Sequence, residues 1–283
     1  MIRYNISLTA LQNRIDAVNF TWRTSARSRT MIFSRQGSYK EDSPIWSEIK
    51  SVYMDLQYDK CIFCERKLED AEIGLIEQDV EHFRPKKDIK AWRPNSSSPV
   101  QGIPLSVPPT TNGYYKLAYH LFNYAASCKP CNSILKKSYF PIAGQYNIHS
   151  DDPVPLTITE QPYLIYPISD FDDNPEQLIK FNGVSPFAIV AQGHGKYRAL
   201  VTIEIFKLDG RKNLSRERAS IICMLYGMLM LPNGGGTSII NALLKDSAPH
   251  ANCARSFYAL FQRNRQEAER IFNAASALID SIS

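Results

Sequence analysis

No stretch of about 18 consecutive apolar residues occurs in this chain, so a membrane-spanning helix is not expected. The opening residues, MIRYNISLTALQNRID, include an acid and lack an apolar core. They do not read as a secretory signal, and a cytoplasmic protein with no membrane partner is expected. No G-x-x-x-x-G-K-[ST] loop is present. Gly193-His194-Gly195-Lys196 and Gly234-Gly235-Gly236-Thr237 both miss that pattern, so no ATP site is expected in this chain. Internal repeats are absent. A strong charge bias is absent too: 33 basic against 28 acidic residues leave +5, which permits a nucleic-acid partner without demanding one. Lys and Arg are missing altogether between Ser150 and Glu176, where seven acids fall, and a domain boundary is placed near residue 150.

The six cysteines are few, but four of them are arranged. Cys61-Ile62-Phe63-Cys64 and Cys128-Lys129-Pro130-Cys131 form two C-x-x-C pairs separated by 63 residues. In a reducing compartment such pairs are metal ligands or redox centres rather than structural disulfides. A two-residue spacer lets both sulfurs of a pair reach one ion, and four thiolates make the ligand set of a tetrahedral structural Zn²⁺. A redox centre would need one such pair at a helix start beside a strand. Cys223 lies in an apolar run and reads as core, whereas Cys253 gives no signal.

Between the pairs, Val80-Glu81-His82-Phe83 alternates as a short strand does. A lone Glu-His pair is weak evidence for chemistry. Its setting sharpens it: Asn123 precedes the second cysteine pair, and Asn132, nine positions on, follows its last cysteine. An imidazole titrates near neutral pH and suits a general base, and side-chain oxygens suit Mg²⁺ or Mn²⁺.

The stretch from Cys61 to Lys137 resembles the HNH, or ββα-metal, endonucleases in their four-cysteine, zinc-supported branch. The spacing from Asn123 to Asn132 is that of N-x8-H with asparagine in the final place. The wider pattern, C-x-x-C-E, V-E-H-F-R-P-K, G-Y-Y-x-L-A-Y and C-x-x-C-N-x-x-x-K-K over roughly residues 55–220, is similar to the HNH subunits of Septu-type bacterial anti-phage systems, also found with some retrons. The resemblance implies His82 as general base and Glu81 with Asn132 as ligands of one Mg²⁺ or Mn²⁺. It implies Asn123 as the residue holding the loop that orients His82, and Arg84, Lys86, Lys136 and Lys137 as phosphate contacts. It also implies an ABC/SMC-like ATPase partner and a nucleic-acid substrate, with DNA favoured. Two departures stand out: Glu81 where many members carry Asp, and His120 where the pattern more often has an acid. The residues alone leave open an RNA substrate such as a tRNA, and a zinc-knuckle adaptor without activity.

The expected fold is α+β. A zinc-braced ββα-metal module at 61–150 sits between a helical segment at 1–60 and a largely helical interaction domain at 151–283. Leu8, Leu11, Ile15 and Val18 predict a first helix, and Ile45, Ile49, Val52 and Leu56 a second from Pro44 to about Asp59. Arg23, Arg27, Arg29 and Arg35 are placed in the link between them, as a solvated surface or a phosphate-contacting patch. Residues 94–112, rich in Pro and Ser, read as an inserted loop. Asp170, Asp172 and Asp173 read as a turn-rich acidic loop rather than a second metal site. Strands are expected at 177–191 and 197–204. Helices are then expected from Ser215 to Leu231, stopped by Pro232 and the glycines, and from Ser256 to Ile282.

Overall fold

A computed structural model describes residues 1–69 and 78–281. Three helices lead: α1 (Leu8–Val18), α2 (Trp22–Gln36) and the short α3 (Lys50–Leu56). Strands β1 (Gln78–His82) and β2 (Tyr124–Cys128) pair antiparallel, and a wide π-helical segment, Pro130–Lys136, follows β2. Then come α4 (Pro153–Thr159), a hairpin of β3 (Ile179–Asn182) and β4 (Ser185–Ala188), and helices α5 (Gly193–Ile205), α6 (Lys212–Leu229), α7 (Thr237–Leu244), α8 (Ala251–Arg263) and α9 (Arg265–Asp280). The architecture is mixed, with helices predominating and two small sheets. Among the described residues no helix is long and apolar enough to cross a membrane.

Local chemistry sets the ends of these elements. The Ser7 hydroxyl accepts from the Ala10 amide at 3.2 Å and starts α1, and Gly37, at φ 66°, closes α2 in the left-handed conformation that glycine adopts freely. The expected link between the first two helices is itself α2. Its arginines are therefore spread around a helix, with Arg23 tied to Asp16 and Arg29 to Glu41. The second expected helix is shorter than its pattern: a tight turn at Trp46–Ile49 precedes α3, and Tyr58 and Asp59 take positive φ just before Cys61.

Two expectations in the C-terminal half fail for identifiable reasons. The region 197–204 is helical, not a strand. Its β-branched run, Val201-Thr202-Ile203, suggested a strand, but Arg198, Val201, Thr202 and Ile205 are buried at helical spacing, and packing outweighs propensity. The helix expected from Ser256 to Ile282 is two helices. Asn264 is extended, and its side chain accepts from the Glu267 amide at 3.1 Å, so Asn264-x-x-Glu267 caps a new helix inside the apolar pattern. Ile282 lies outside the described residues. The strand expected over 177–191 is the β3–β4 hairpin, turned at Gly183 with φ 58°.

The 94–112 loop is anchored rather than loose. Val100 is fully buried, the Asn95 amide and the Ser98 hydroxyl donate to Glu204 on α5, and the Asn112 side chain donates to the Gly37 carbonyl. The acidic turn is anchored as well: Asp172 is buried against the Arg198 guanidinium.

Candidate metal centre and polar cleft

The two cysteine pairs meet because the first docks on the strand that carries the second. The Ile62 amide donates to the Ala126 carbonyl at 3.1 Å, and Gln57, at the end of α3, makes a two-way amide bridge to Ala126. Strand β2 then delivers Cys128, and the π-helical segment delivers Cys131. All four thiols are buried, and their sulfurs lie within 4.8 Å of one another. The Cys64 and Cys128 sulfurs are 3.9 Å apart. A tetrahedron with Zn–S bonds of about 2.3 Å has S···S edges of about 3.8 Å, so the cluster fits zinc. Arg211 donates to the Cys131 sulfur at 3.2 Å; burial works against its charge, and the Cys131, Cys64 and Cys128 sulfurs outweigh that and favour the charged form. Sequence reasoning did not assign Arg211, whose link to the cluster spans 80 positions.

The β1–β2 register sets Glu81 opposite Ala125 and His82 opposite Tyr124. His82 is clamped. The Trp46 and Tyr124 rings meet it edge-to-face at 4.8 and 5.0 Å. Its Nε2 lies 3.1 Å from the Ala118 carbonyl, and its Nδ1 lies 3.2 Å from Lys86 Nζ. A carbonyl only accepts, so Nε2 carries the proton and Nδ1 keeps the lone pair. Burial first, and then the Lys86 ammonium, hold the imidazole well below its usual range, so it is neutral at pH 7.

Asn123 is fully buried. It accepts from the Arg84 amide at 2.7 Å and donates to the Arg84 and Leu117 carbonyls at 3.0 Å each. It thereby pins the chain after β1 to the segment that carries Ala118. Asn132 donates to Asp79 at 3.0 Å. Glu81, His82, Lys86, Asn132 and Lys137 all line one cleft of about 180 Å³. Glu81 and Asn132 present a carboxylate and an amide there, an oxygen donor set suited to Mg²⁺ or Mn²⁺.

Over 184 residues the chain is 27% identical to the Septu protein PtuB of Bacillus mycoides (strain KBAB4). That similarity covers 65% of this chain and 52% of the relative, so the chain spans about half the length of the protein it matches. No family model matches the chain, and no solved structure matches it. The similarity to PtuB agrees with the pattern quoted above, and the buried four-cysteine cluster could hold a zinc ion.

Two of the four expected phosphate contacts are placed otherwise. Arg84 is 1% exposed, pairs with the buried Glu160 at 3.2 Å and sits among the Phe83, Tyr114 and Phe140 rings. Lys136 is fully buried, donates to the His82 carbonyl at 3.1 Å and pairs with Glu81. Lys137 is exposed at the cleft, and Lys86 is partly exposed there. His120 lies elsewhere: its Nδ1 accepts from the Phe122 amide at 3.1 Å and caps a turn.

Breaking the Arg84–Glu160 pair should be costly. Arg84→Ala would leave a carboxylate uncompensated in the interior, worth roughly 3–5 kcal/mol of stability. Chemical denaturation should show that loss, and an unchanged midpoint with weakened nucleic-acid binding would restore the surface role. Gly113 is equally constrained: a Cβ there would lie 2.2 Å from the Pro85 carbonyl oxygen, which is backbone. Gly113→Ala should cost roughly 1–3 kcal/mol by overpacking and should move the Pro85–Lys86 segment at the cleft. A melting temperature equal to the parent's would contradict that.

Proposed function

We propose that this chain is an HNH-type endonuclease that hydrolyses phosphodiester bonds in nucleic acid, DNA by preference. It would act as the effector of a bacterial anti-phage system beside an ABC/SMC-like, PtuA-type ATPase. One observation carries the reading: a neutral histidine with its lone pair on a defined nitrogen shares a polar cleft with Glu81 and Asn132. In this reading His82 Nδ1 takes the proton of the attacking water, and the Ala118 carbonyl supports the imidazolium that results. Glu81 and Asn132 would hold Mg²⁺ or Mn²⁺, which when bound neutralises charge developing on the phosphate and the leaving 3′ oxygen. Burial pushes the Glu81 carboxyl above its usual range, and the paired Lys136 opposes that push. Lys137 and Lys86 meet the phosphate backbone. The four cysteines with Zn²⁺ fix β2 and the segment carrying Asn132. Residues 1–60 would brace the module, and 151–283 would serve as scaffold and partner surface.

Purified protein with its ATPase partner, incubated with labelled DNA and labelled RNA in Mg²⁺, tests the substrate. Cleavage of DNA is expected, cleavage confined to RNA would move the reading to an RNA nuclease, and cleavage of neither would leave the adaptor.

A further inference from the structure

The cleft holds one feature that hydrolysis by itself does not require. A neutral imidazole has a single lone pair to offer a water molecule. In His82 that lone pair is on Nδ1, and Lys86 Nζ covers it at 3.2 Å. The ammonium is held there by more than the histidine. It lies 4.2 Å from the centre of the Trp46 ring and 5.5 Å from that of Tyr39, the geometry of a cation against aromatic faces. Trp46 also buttresses the His82 ring, so one indole fixes both partners. The imidazole cannot rotate away, because Nε2 is committed to Ala118 and two rings wedge it. The base is therefore correctly built and covered at the same time.

The geometry points to Lys86 as a substrate-operated latch on His82: a phosphodiester anion entering the cleft draws the ammonium onto itself and uncovers Nδ1 for the attacking water. The inference rests on the nuclease reading above and adds regulation to it. The chemistry favours the exchange. A neutral nitrogen is a weaker partner for an ammonium than a phosphate oxygen is, since the phosphate adds the attraction of an opposite formal charge to the hydrogen bond. The four-carbon stem of lysine gives the ammonium reach without backbone movement. The other cations at the site do not cover Nδ1: Lys136 is buried against Glu81 and the His82 carbonyl, and Lys137 is exposed at the cleft. Lys86 is thus a positioning residue that acts through His82. Without a phosphodiester in place, the covered base would leave the cleft idle.

The test reads the nitrogen directly. The full chain is labelled with ¹⁵N-histidine, His82 is assigned by its disappearance in His82→Gln, and its Nδ1 resonance is compared in wild type and Lys86→Met. The two should differ as a hydrogen-bonded acceptor differs from a free one, and Trp46→Leu should fall between them. Adding short duplex DNA without added divalent cation should move the wild-type resonance to the Lys86→Met position, while anisotropy of a dye on the DNA reports binding. Identical resonances in wild type and Lys86→Met would overturn the latch. DNA that binds and leaves the wild-type resonance in place would overturn its release by substrate. DNA that does not bind at all would sink the DNA-nuclease reading and the release by DNA with it, a result the anisotropy registers separately.

Discussion

Cys61→Ser should yield a chain that retains no tightly held zinc and does not fold around β1 and β2. The four thiols are buried with no solvent to compensate them, and they are drawn from segments 63 residues apart in the chain. Metal binding in structural sites is folding free energy, roughly 10 kcal/mol or more in zinc-finger peptides. That exceeds or rivals the whole net stability of a typical domain, about 5–15 kcal/mol. Cys131→Ser should behave alike and would also remove the acceptor of Arg211. Elemental analysis should find one zinc per wild-type chain, and a strong chelator should unfold the wild type. Folded protein free of zinc, or a Cys61→Ser chain with an unaltered melting profile, would contradict the assignment.

The consequence would extend beyond the cluster. β2 ends at Cys128, and its partner β1 carries Glu81 and His82. The same peptide that presents Cys131 continues into Asn132 and the buried Lys136. Loss of zinc should therefore remove the cleft along with the fold around it.

The cysteine spacing made the cluster legible in the sequence, because C-x-x-C geometry depends on neighbours three positions apart. The strand expected over Val80–Phe83, which the structure places at Gln78–His82, was legible for the same reason: alternation is a local property. What could not be read were properties set by distant partners. Nothing near Arg84 announces that Glu160, 76 positions on, draws it inward, and the basic V-E-H-F-R-P-K string reads equally well as surface. Lys136 and Lys137 are adjacent and identical in kind, yet one is buried against Glu81 and the other is exposed, because Lys136 ends the π-helical segment and the chain leaves it at Lys137 with φ 51°. Trp46 and Tyr39 were invisible as parts of the cleft because they belong to the helical segment before the first cysteine and reach it only in the folded chain. The break at Asn264 was readable: its capping residue and Glu267 stand in the sequence, beneath a continuous apolar stripe that masked them.

The most direct measurement of the nuclease reading is the rate of nucleic-acid cleavage by wild type, His82→Ala, Glu81→Gln and Asn132→Ala across a Mg²⁺ or Mn²⁺ titration, with zinc content and melting followed in parallel. A positioned general base is worth about 10²–10⁴-fold in rate. His82→Ala should lose at least that much at saturating metal while keeping its zinc, its fold and its partner, because the zinc ligands lie elsewhere and Glu81 and Asn132 remain. Glu81→Gln and Asn132→Ala should instead need more divalent metal as well as turning over slowly, since each weakens the oxygen donor set. Undiminished cleavage by His82→Ala would contradict the account at its centre.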